Sequence, residues 1–263
     1  MSFSKKSPPK LYHIGVLKTI RAVTHYPNRL GKQAVICYNI DRWYANMINT
    51  LLFDLDGTLI DSNELIIMSL QTALSKFLPD RCFPRSVIIQ MIGPPLRETF
   101  ASLVADANTI SMMIDVYLKT YREYEFAYID IYPHVLEILD YFKDSGFNLG
   151  IVTTKFRSSA LPSIKHYGID QRISTIISLD EVAKHKPDPE PIKKALSTFN
   201  NVDQAVMIGD SYSDIIAGKN AGILTCGVSW TLKSEELRRA EPDFWIDDFR
   251  DLSRVIEKYN QGV

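Results

Sequence analysis

Three features of this 263-residue sequence predict an α/β fold: a doubly wound parallel sheet interrupted by an inserted helical domain. After residue 48, short apolar runs alternate with helix-like segments, the order that builds a parallel sheet. Several of the runs are apolar throughout, as burial on both sheet faces requires. The first of them is followed, between residues 61 and about 128, by roughly 65 residues of helical periodicity, far longer than a crossover needs.

Residues 1 to 46 stand apart as a basic N-terminal extension. They hold eight Lys or Arg against one acid, Asp41, so their net charge is near +7 and the rest of a chain with formal net charge −1 is near −8. Leu11, Ile14, Leu17 and Ile20 suit one face of a helix, with Lys10, Lys18 and Arg21 elsewhere on it. Gln33 to Tyr38 reads as a strand.

The core domain is expected over 47–61 and 129–263, with a helical cap over 62–128. The first strand, 49 to 54, ends in Asp54-Leu55-Asp56-Gly57-Thr58. In the cap, Leu65, Ile66, Met68, Leu70, Ala73 and Leu74, then Ile110, Met113, Ile114, Tyr117 and Leu118, recur at helical spacing. Between these stripes Ile92-Gly93-Pro94-Pro95-Leu96-Arg97-Glu98-Thr99 reads as a rigid loop that faces the catalytic strand ends. A helix over 133–145 stops at Gly146, and a strand follows over 148–153. A second helix over 157–167 stops at Gly168, ahead of a strand over 174–178. Helices over 188–199 and 212–220 then alternate with strands over 205–209 and 223–228, and a short strand occupies 244–246. Such crossovers are right-handed.

Composition excludes several classes of protein. With 46% hydrophobic and 23% charged residues and a formal net charge of −1, nothing in the overall balance points to general disorder or to a polyanion-binding protein, and no nucleic-acid partner is expected. Cys37, Cys82 and Cys226 are odd in number and widely spaced, and read as free thiols in a reducing compartment. No run approaches the length of a membrane span and no signal peptide is evident, so a cytoplasmic location is expected.

The chemistry gathers at the carboxyl ends of the strands, where open parallel sheets bind ligands. Asp54 and Asp56 share a face of the extended chain and leave it together before Gly57 turns the backbone, offering a nucleophile and a proton donor. Thr153 and Thr154 end the next strand with hydroxyl and N–H groups for phosphate oxygens. Lys186 precedes Pro187, and Gly209-Asp210-Ser211-Tyr212-Ser213-Asp214 ends a further strand with two carboxylates. Like charges about 4 Å apart repel by roughly 4 kcal/mol per pair at an effective dielectric of 20, so a cation must compensate. Oxygen-only ligands favour Mg²⁺ over zinc.

These residues resemble the four motifs of the haloacid dehalogenase superfamily of aspartyl phosphohydrolases: Asp54-Leu55-Asp56-Gly57-Thr58, Thr153, Lys186-Pro187, and Gly209-Asp210 through Asp214. The resemblance covers about residues 48 to 255 and implies a Rossmannoid core. It also implies Asp54 as nucleophile, Asp56 as acid and base, and Thr153 and Lys186 as ligands of the phosphoryl oxygens, with Gly57, Thr58 and Thr154 beside them. The Mg²⁺ ligands implied are the Asp54 carboxylate, the Asp56 carbonyl and Asp210, with Asp214 in support. A closer resemblance is to PpaX-type bacterial pyrophosphatases. It rests on Asn63 to Ile67, Ile92-Gly93-Pro94-Pro95-Leu96, Gly150 to Lys155, Lys186 to Pro191, Gly227 to Trp230 and Glu241 to Phe244.

That resemblance implies hydrolysis of inorganic pyrophosphate, such as that made by phosphorolysis of seryl-phosphorylated HPr. Phosphoglycolate phosphatases share part of the pattern, so phosphoglycolate or another small phosphomonoester is the alternative substrate, and a regulator that binds a phospho-ligand without turnover is the non-enzymatic one. Gly93 and Arg97 of the cap, and Lys155 beside the phosphate site, are candidates to hold a second phosphate or a carboxylate. Members of the family begin just before the first strand, where Met47 stands. The extension is therefore read as a mis-assigned or foreign start ahead of two other roles, an arm for a polyanion or membrane surface and a structured addition to the core.

Overall fold

The structure, a computed structural model, describes residues 21–27, 33–39 and 47–262. The chain divides into two compact units, Met1–Asn46 and Met47–Val263. In the first, β1 (Arg21–Pro27) and β2 (Gln33–Asn39) pair antiparallel, from Arg21 opposite Asn39 to Pro27 opposite Gln33. The strand expected at 33 to 38 is thus present. The expected helix face of Leu11, Ile14, Leu17 and Ile20 lies outside the described residues.

The second unit opens with β3 (Ile48–Phe53), after which the two-residue β4 (Ile60–Asp61) pairs antiparallel with β5 (Asp130–Ile131). Between β4 and β5 lie four helices, α1 (Asn63–Phe77), α2 (Arg85–Gln90), α3 (Leu96–Ala101) and α4 (Ala107–Tyr128). The two short strands form a stem from which the helical insertion leaves and to which it returns. Its core is the stripe of buried residues on α1 and α4, including Leu70, Ala73, Leu74, Ile110 and Met113. The segment 92–99 departs from the expected loop. It is irregular only as far as Pro95, whose carbonyl accepts from the N–H groups of Glu98 and Thr99 at 2.9 and 3.1 Å and starts α3. A proline just ahead of a first turn pre-sets the backbone for a helix, which is why the break also serves as a start.

Beyond the insertion come α5 (Val135–Asp144), β6 (Asn148–Val152), α6 (Arg157–His166), β7 (Thr175–Ile177), α7 (Glu190–Leu196) and β8 (Gln204–Gly209). The chain ends with α8 (Tyr212–Ala221), β9 (Leu224–Val228), α9 (Ser234–Arg239), β10 (Phe244–Ile246) and α10 (Phe249–Asn260). Helices α9 and α10 fall outside those expected from the sequence.

Six strands form one parallel sheet in the order β10-β9-β8-β3-β6-β7. Alternation along its central strands divides the core between the two faces. Leu51, Phe53, Leu149, Ile151, Val206 and Ile208 join Phe142 of α5 and Leu252 of α10 in one cluster. Leu52, Val152 and Met207 join Ile192 and Ala195 of α7 and Ala217 of α8 in another. Fully burying a side chain of this size contributes about 1.5–3 kcal/mol, so both faces hold β3 at the centre. Its carboxyl end, flanked by those of β6 and β8, is fixed by strands buried on both faces.

Candidate active site

Residues directly after β3, β6 and β8 build the site. The sheet's hydrogen bonding runs one residue past two of these strands: the Asp54 N–H donates to the Ile208 carbonyl and the Thr153 N–H to that of Ile177, both at 2.9 Å. Asp54 and Thr153 are therefore held by backbone pairing, and both are buried. Lys186 is also buried, with 3% of its surface exposed, and donates to Asp54 Oδ1 at 2.6 Å, Asp214 Oδ1 at 2.5 Å and the Val152 carbonyl at 2.8 Å. An ammonium so enclosed is tolerated because each of its three hydrogens has an acceptor.

The charges of this cluster are set by burial and by one another. Burial pushes the Asp54 carboxyl up to about 7; Lys186 pulls against this, and Asp214 adds to it. Asp210, between burial and the charges of Asp54 and Asp214, is held well above the ordinary carboxylate range. For Lys186, burial opposes the charge but the carboxylates of Asp214 and Asp54 outweigh it, so the amine stays an ammonium.

Carboxylate oxygens of Asp54, Asp210 and Asp214 lie within 4.8 Å of one another. Asp214 is already engaged: its Oδ1 takes Lys186, and its Oδ2 accepts from the Ser211 hydroxyl at 2.6 Å and N–H at 3.0 Å as part of a capping box on α8. The carboxylate of Asp210 has no hydrogen-bond donor among the described residues. Asp54 and Asp210 thus present oxygens whose mutual repulsion one lysine does not cancel. That donor set fits a hard divalent cation such as Mg²⁺ and does not fit zinc, since neither Cys nor His belongs to it.

Asp56 faces away from that cluster. Its Oδ1 accepts from the Ser62 hydroxyl at 2.6 Å and from Lys155 Nζ at 3.1 Å. Lys155 donates also to the Tyr121 hydroxyl at 2.7 Å, with its ammonium 4.3 Å from the centre of that ring. Expected as a partner for a second phosphate, Lys155 is instead paired with Asp56. Its own N–H donates to Thr153 Oγ1 at 3.1 Å, while both partners of its ammonium come from other elements of the fold.

Gly57 has φ of +84°, and a Cβ placed there would lie 2.6 Å from Asp210 Oδ2, so only glycine permits both the turn and the approach of Asp210;. Trp230 Nε1 holds the Gly57 carbonyl at 3.1 Å. Neither Gly57 nor Thr58 lines the cavity above Asp54, in contrast to their expected substrate contact. The turn carries Thr58 inward, where it is fully buried.

The cap reaches this site through the 92–98 segment. Thr154 Oγ1 donates to the Gly93 carbonyl at 3.1 Å, and Lys233 Nζ to the Ile92 carbonyl at 2.7 Å. Glu98 Oε1 lies 2.6 Å from His185 Nε2. Between cap and core is a cavity of about 600 Å³, bordered by Asp54, Asp56, Thr153, Lys186 and Asp210 on the core side and by Gly93 and Arg97 on the cap side. Arg97 is exposed at its edge and makes no ion pair among the described residues. Lys233 and Tyr121, which the sequence does not mark, both line it.

A family of proteins combines these elements, and its model, haloacid dehalogenase-like hydrolase, matches residues 51–228. The chain belongs to the haloacid dehalogenase-like hydrolases. This haloacid dehalogenase-like hydrolase is similar to the "Pyrophosphatase PpaX" of Listeria welshimeri, with 43% identity over 215 residues that cover 80% of this chain and 96% of that one. It is similar also to the "Pyrophosphatase PpaX" of Bacillus velezensis, at 42% over 210 residues, 79% of this chain and 96% of that one. Among solved structures, a predicted phosphatase from Clostridium acetobutylicum superposes with a TM-score of 0.70 at 28% identity, covering 81% of this chain and all of that one. The chain is accordingly an enzyme, a phosphohydrolase of this family, with the α/β core and inserted helical cap expected from its sequence. Among the described residues no helix is long and apolar enough to cross a membrane.

Proposed function

We propose that this hydrolase converts inorganic pyrophosphate to phosphate through an aspartyl-phosphate on Asp54, with Mg²⁺ as its cofactor. The observation that carries the reading is the joint one: identity of 43% to a pyrophosphatase along nearly its whole length, and Asp54 and Asp56 at the floor of one cavity with separate partners.

In this reading the terminal phosphoryl group rests against the Thr153 hydroxyl and Lys186. A carboxylate oxygen of Asp54 attacks phosphorus, the bridging P–O bond breaks, and the leaving phosphate takes a proton from Asp56. Asp56 then removes a proton from a water that attacks the aspartyl-phosphate, and Asp54 is released as a carboxylate. Covalent catalysis and acid–base catalysis are combined, the latter contributing typically 10²–10⁴-fold. Lys186 draws the Asp54 carboxyl toward its ionised form against its burial, while Ser62 and Lys155 hold Asp56 Oδ1. When bound by Asp54, the Asp56 carbonyl and Asp210, with Asp214 in support, Mg²⁺ supplies charge neutralisation for the phosphoryl oxygens. Arg97, at the cavity edge and without an ion-pair partner among the described residues, suits the leaving phosphate.

The catalytic unit is read as the core, 47–61 and 129–263, with the cap, 62–128, and residues 1 to 46 as a basic N-terminal extension outside it. We read it as a cytoplasmic enzyme that removes pyrophosphate, such as that released by phosphorolysis of seryl-phosphorylated HPr; the pyrophosphatase names of its relatives support the substrate part of this reading. The test is Mg²⁺-dependent phosphate release from pyrophosphate and from phosphoglycolate, side by side, with Asp54→Asn as control. A kcat/KM for pyrophosphate roughly tenfold or more above that for phosphoglycolate, lost in the variant, is expected. The reverse preference transfers the assignment to phosphoglycolate, and turnover of neither overturns it.

A further inference from the structure

The cavity is larger and more apolar than pyrophosphate requires. Its volume of about 600 Å³ falls among sites that enclose whole organic ligands, roughly 300–1,000 Å³;. Two cap helices contribute side chains one turn apart, Ile66 and Leu70 from α1 and Ile114 and Leu118 from α4, and Ile89 and Leu96 add to the apolar lining from the shorter cap helices. Pyrophosphate has no carbon to set against any of them. Of the lysines within reach, Lys155 is paired with Asp56 and Lys233 with the Ile92 carbonyl, so a second phosphate is offered few cations beyond Arg97 and Arg122.

We propose a second activity for this site: hydrolysis of phosphomonoesters whose alcohol carries an extended apolar chain, the phosphoryl group at Asp54 and the chain against Ile66, Leu70, Ile114 and Leu118. It rests on the aspartyl-phosphate reading given above. Asp54 attacks phosphorus, the P–O bond to the alkyl oxygen breaks, and that oxygen leaves as the alcohol with a proton from Asp56. Water, losing a proton to Asp56, then displaces the Asp54 carboxylate and yields inorganic phosphate.

Burial of each methylene strengthens binding by about fourfold when complete. The experiment has two arms. In the first, kcat/KM is compared for methyl, butyl and hexyl phosphate with Mg²⁺ present. In the second, the affinities of methyl-, butyl- and hexylphosphonate, whose C–P bond the mechanism does not cleave, are measured by calorimetry on the same protein. Both series are expected to rise by roughly tenfold or more from methyl to hexyl. Both ratios should fall in Ile114→Asn and in Leu118→Asn, either of which suffices if the other does not fold. Phosphonate affinities within about twofold across the series would overturn the proposal. A rising phosphonate series without turnover of any ester, in protein that still releases phosphate from pyrophosphate, would leave the apolar site and the catalytic reading standing and overturn the second activity; loss of pyrophosphate turnover as well would overturn the catalytic reading beneath it. Turnover of all three esters at equal kcat/KM would overturn the apolar subsite alone.

Discussion

Lys155 Nζ lies 3.1 Å from Asp56 Oδ1 and ties the proposed acid and base to the end of the neighbouring strand. The same ammonium donates to the Tyr121 hydroxyl of the cap at 2.7 Å. The two residues are 99 positions apart in the sequence, and the pair is mostly buried. Replacing Lys155 by Met leaves Asp56 held by Ser62 alone. Loss of that positioning is expected to lower kcat by roughly tenfold to a hundredfold, with a smaller change in KM; Tyr121→Phe, which keeps the ring beneath the ammonium, should lose less. Steady-state kinetics on both variants check this, and an unchanged kcat in Lys155→Met would remove the lysine from the machinery.

Lys186 bridges Asp54 and Asp214, each at 2.6 Å or less. Taking it away leaves two buried carboxylates unpaired, and breaking a buried pair from one side costs about 3–5 kcal/mol. Lys186→Met is therefore expected to lose nearly all phosphate release and to unfold earlier on heating. The double variant Lys186→Met, Asp214→Asn should recover stability and not activity, as thermal denaturation measured beside turnover would show.

The pH dependence of stability follows from Asp54 and Asp210. Their folded pKa values lie above those of the unfolded chain, that of Asp54 at about 7. Folding therefore favours the neutral carboxyls. Their contribution is fully present below the ordinary carboxylate value, near 3.9, and is lost as pH rises toward 7. Without Mg²⁺, Asp210→Asn should thus melt about 2–4 °C or more above the parent near pH 8, with the gap closing near pH 4. Added Mg²⁺ should raise the parent's Tm and scarcely move the variant's. A metal-free variant less stable than the parent at the higher pH would contradict the electrostatics described.

Gly57 tests the turn. A methyl group at this position meets Asp210 Oδ2 at 2.6 Å on a backbone with φ of +84°. The left-handed conformation alone costs a non-glycine residue about 1–2 kcal/mol, and displacing Asp210 removes a proposed cation ligand. Gly57→Ala is expected to raise the Mg²⁺ concentration needed for half-maximal rate, read from a metal titration of activity.

Much of this was legible in the chain because its causes are local. Parallel strands buried on both faces read as unbroken apolar runs, so β3, β6, β8 and β9 are visible as such. Asp54 and Asp56 are visible because two residues of extended chain place them together. The role of Lys155 is not, since its partners Asp56 and Tyr121 come from other elements and only the closed fold brings them near. Lys233 is hidden for the same reason, its acceptors lying 141 and 143 positions away. Helix α10 is a different case: Phe249, Leu252 and Ile256 are buried on one face behind an Asp248–Asp251 capping box. That local pattern was present in the sequence, obscured by a run of polar residues between its apolar positions.

A chain begun at Met47 contains the whole second compact unit. Its kcat/KM is expected to stay within about twofold of the full chain's, measured on pyrophosphate. A larger loss would give residues 1 to 46 a part in catalysis.

The central claim is that Asp54 carries the phosphoryl group. Its most direct test is an acid quench in the first turnover with radiolabelled pyrophosphate and Mg²⁺, followed by mapping of the labelled peptide. Label on the peptide containing Asp54, released by hydroxylamine and absent from Asp54→Asn, is the predicted result. Phosphate release by Asp54→Asn at the parent's rate, with no label trapped in either protein, would contradict it.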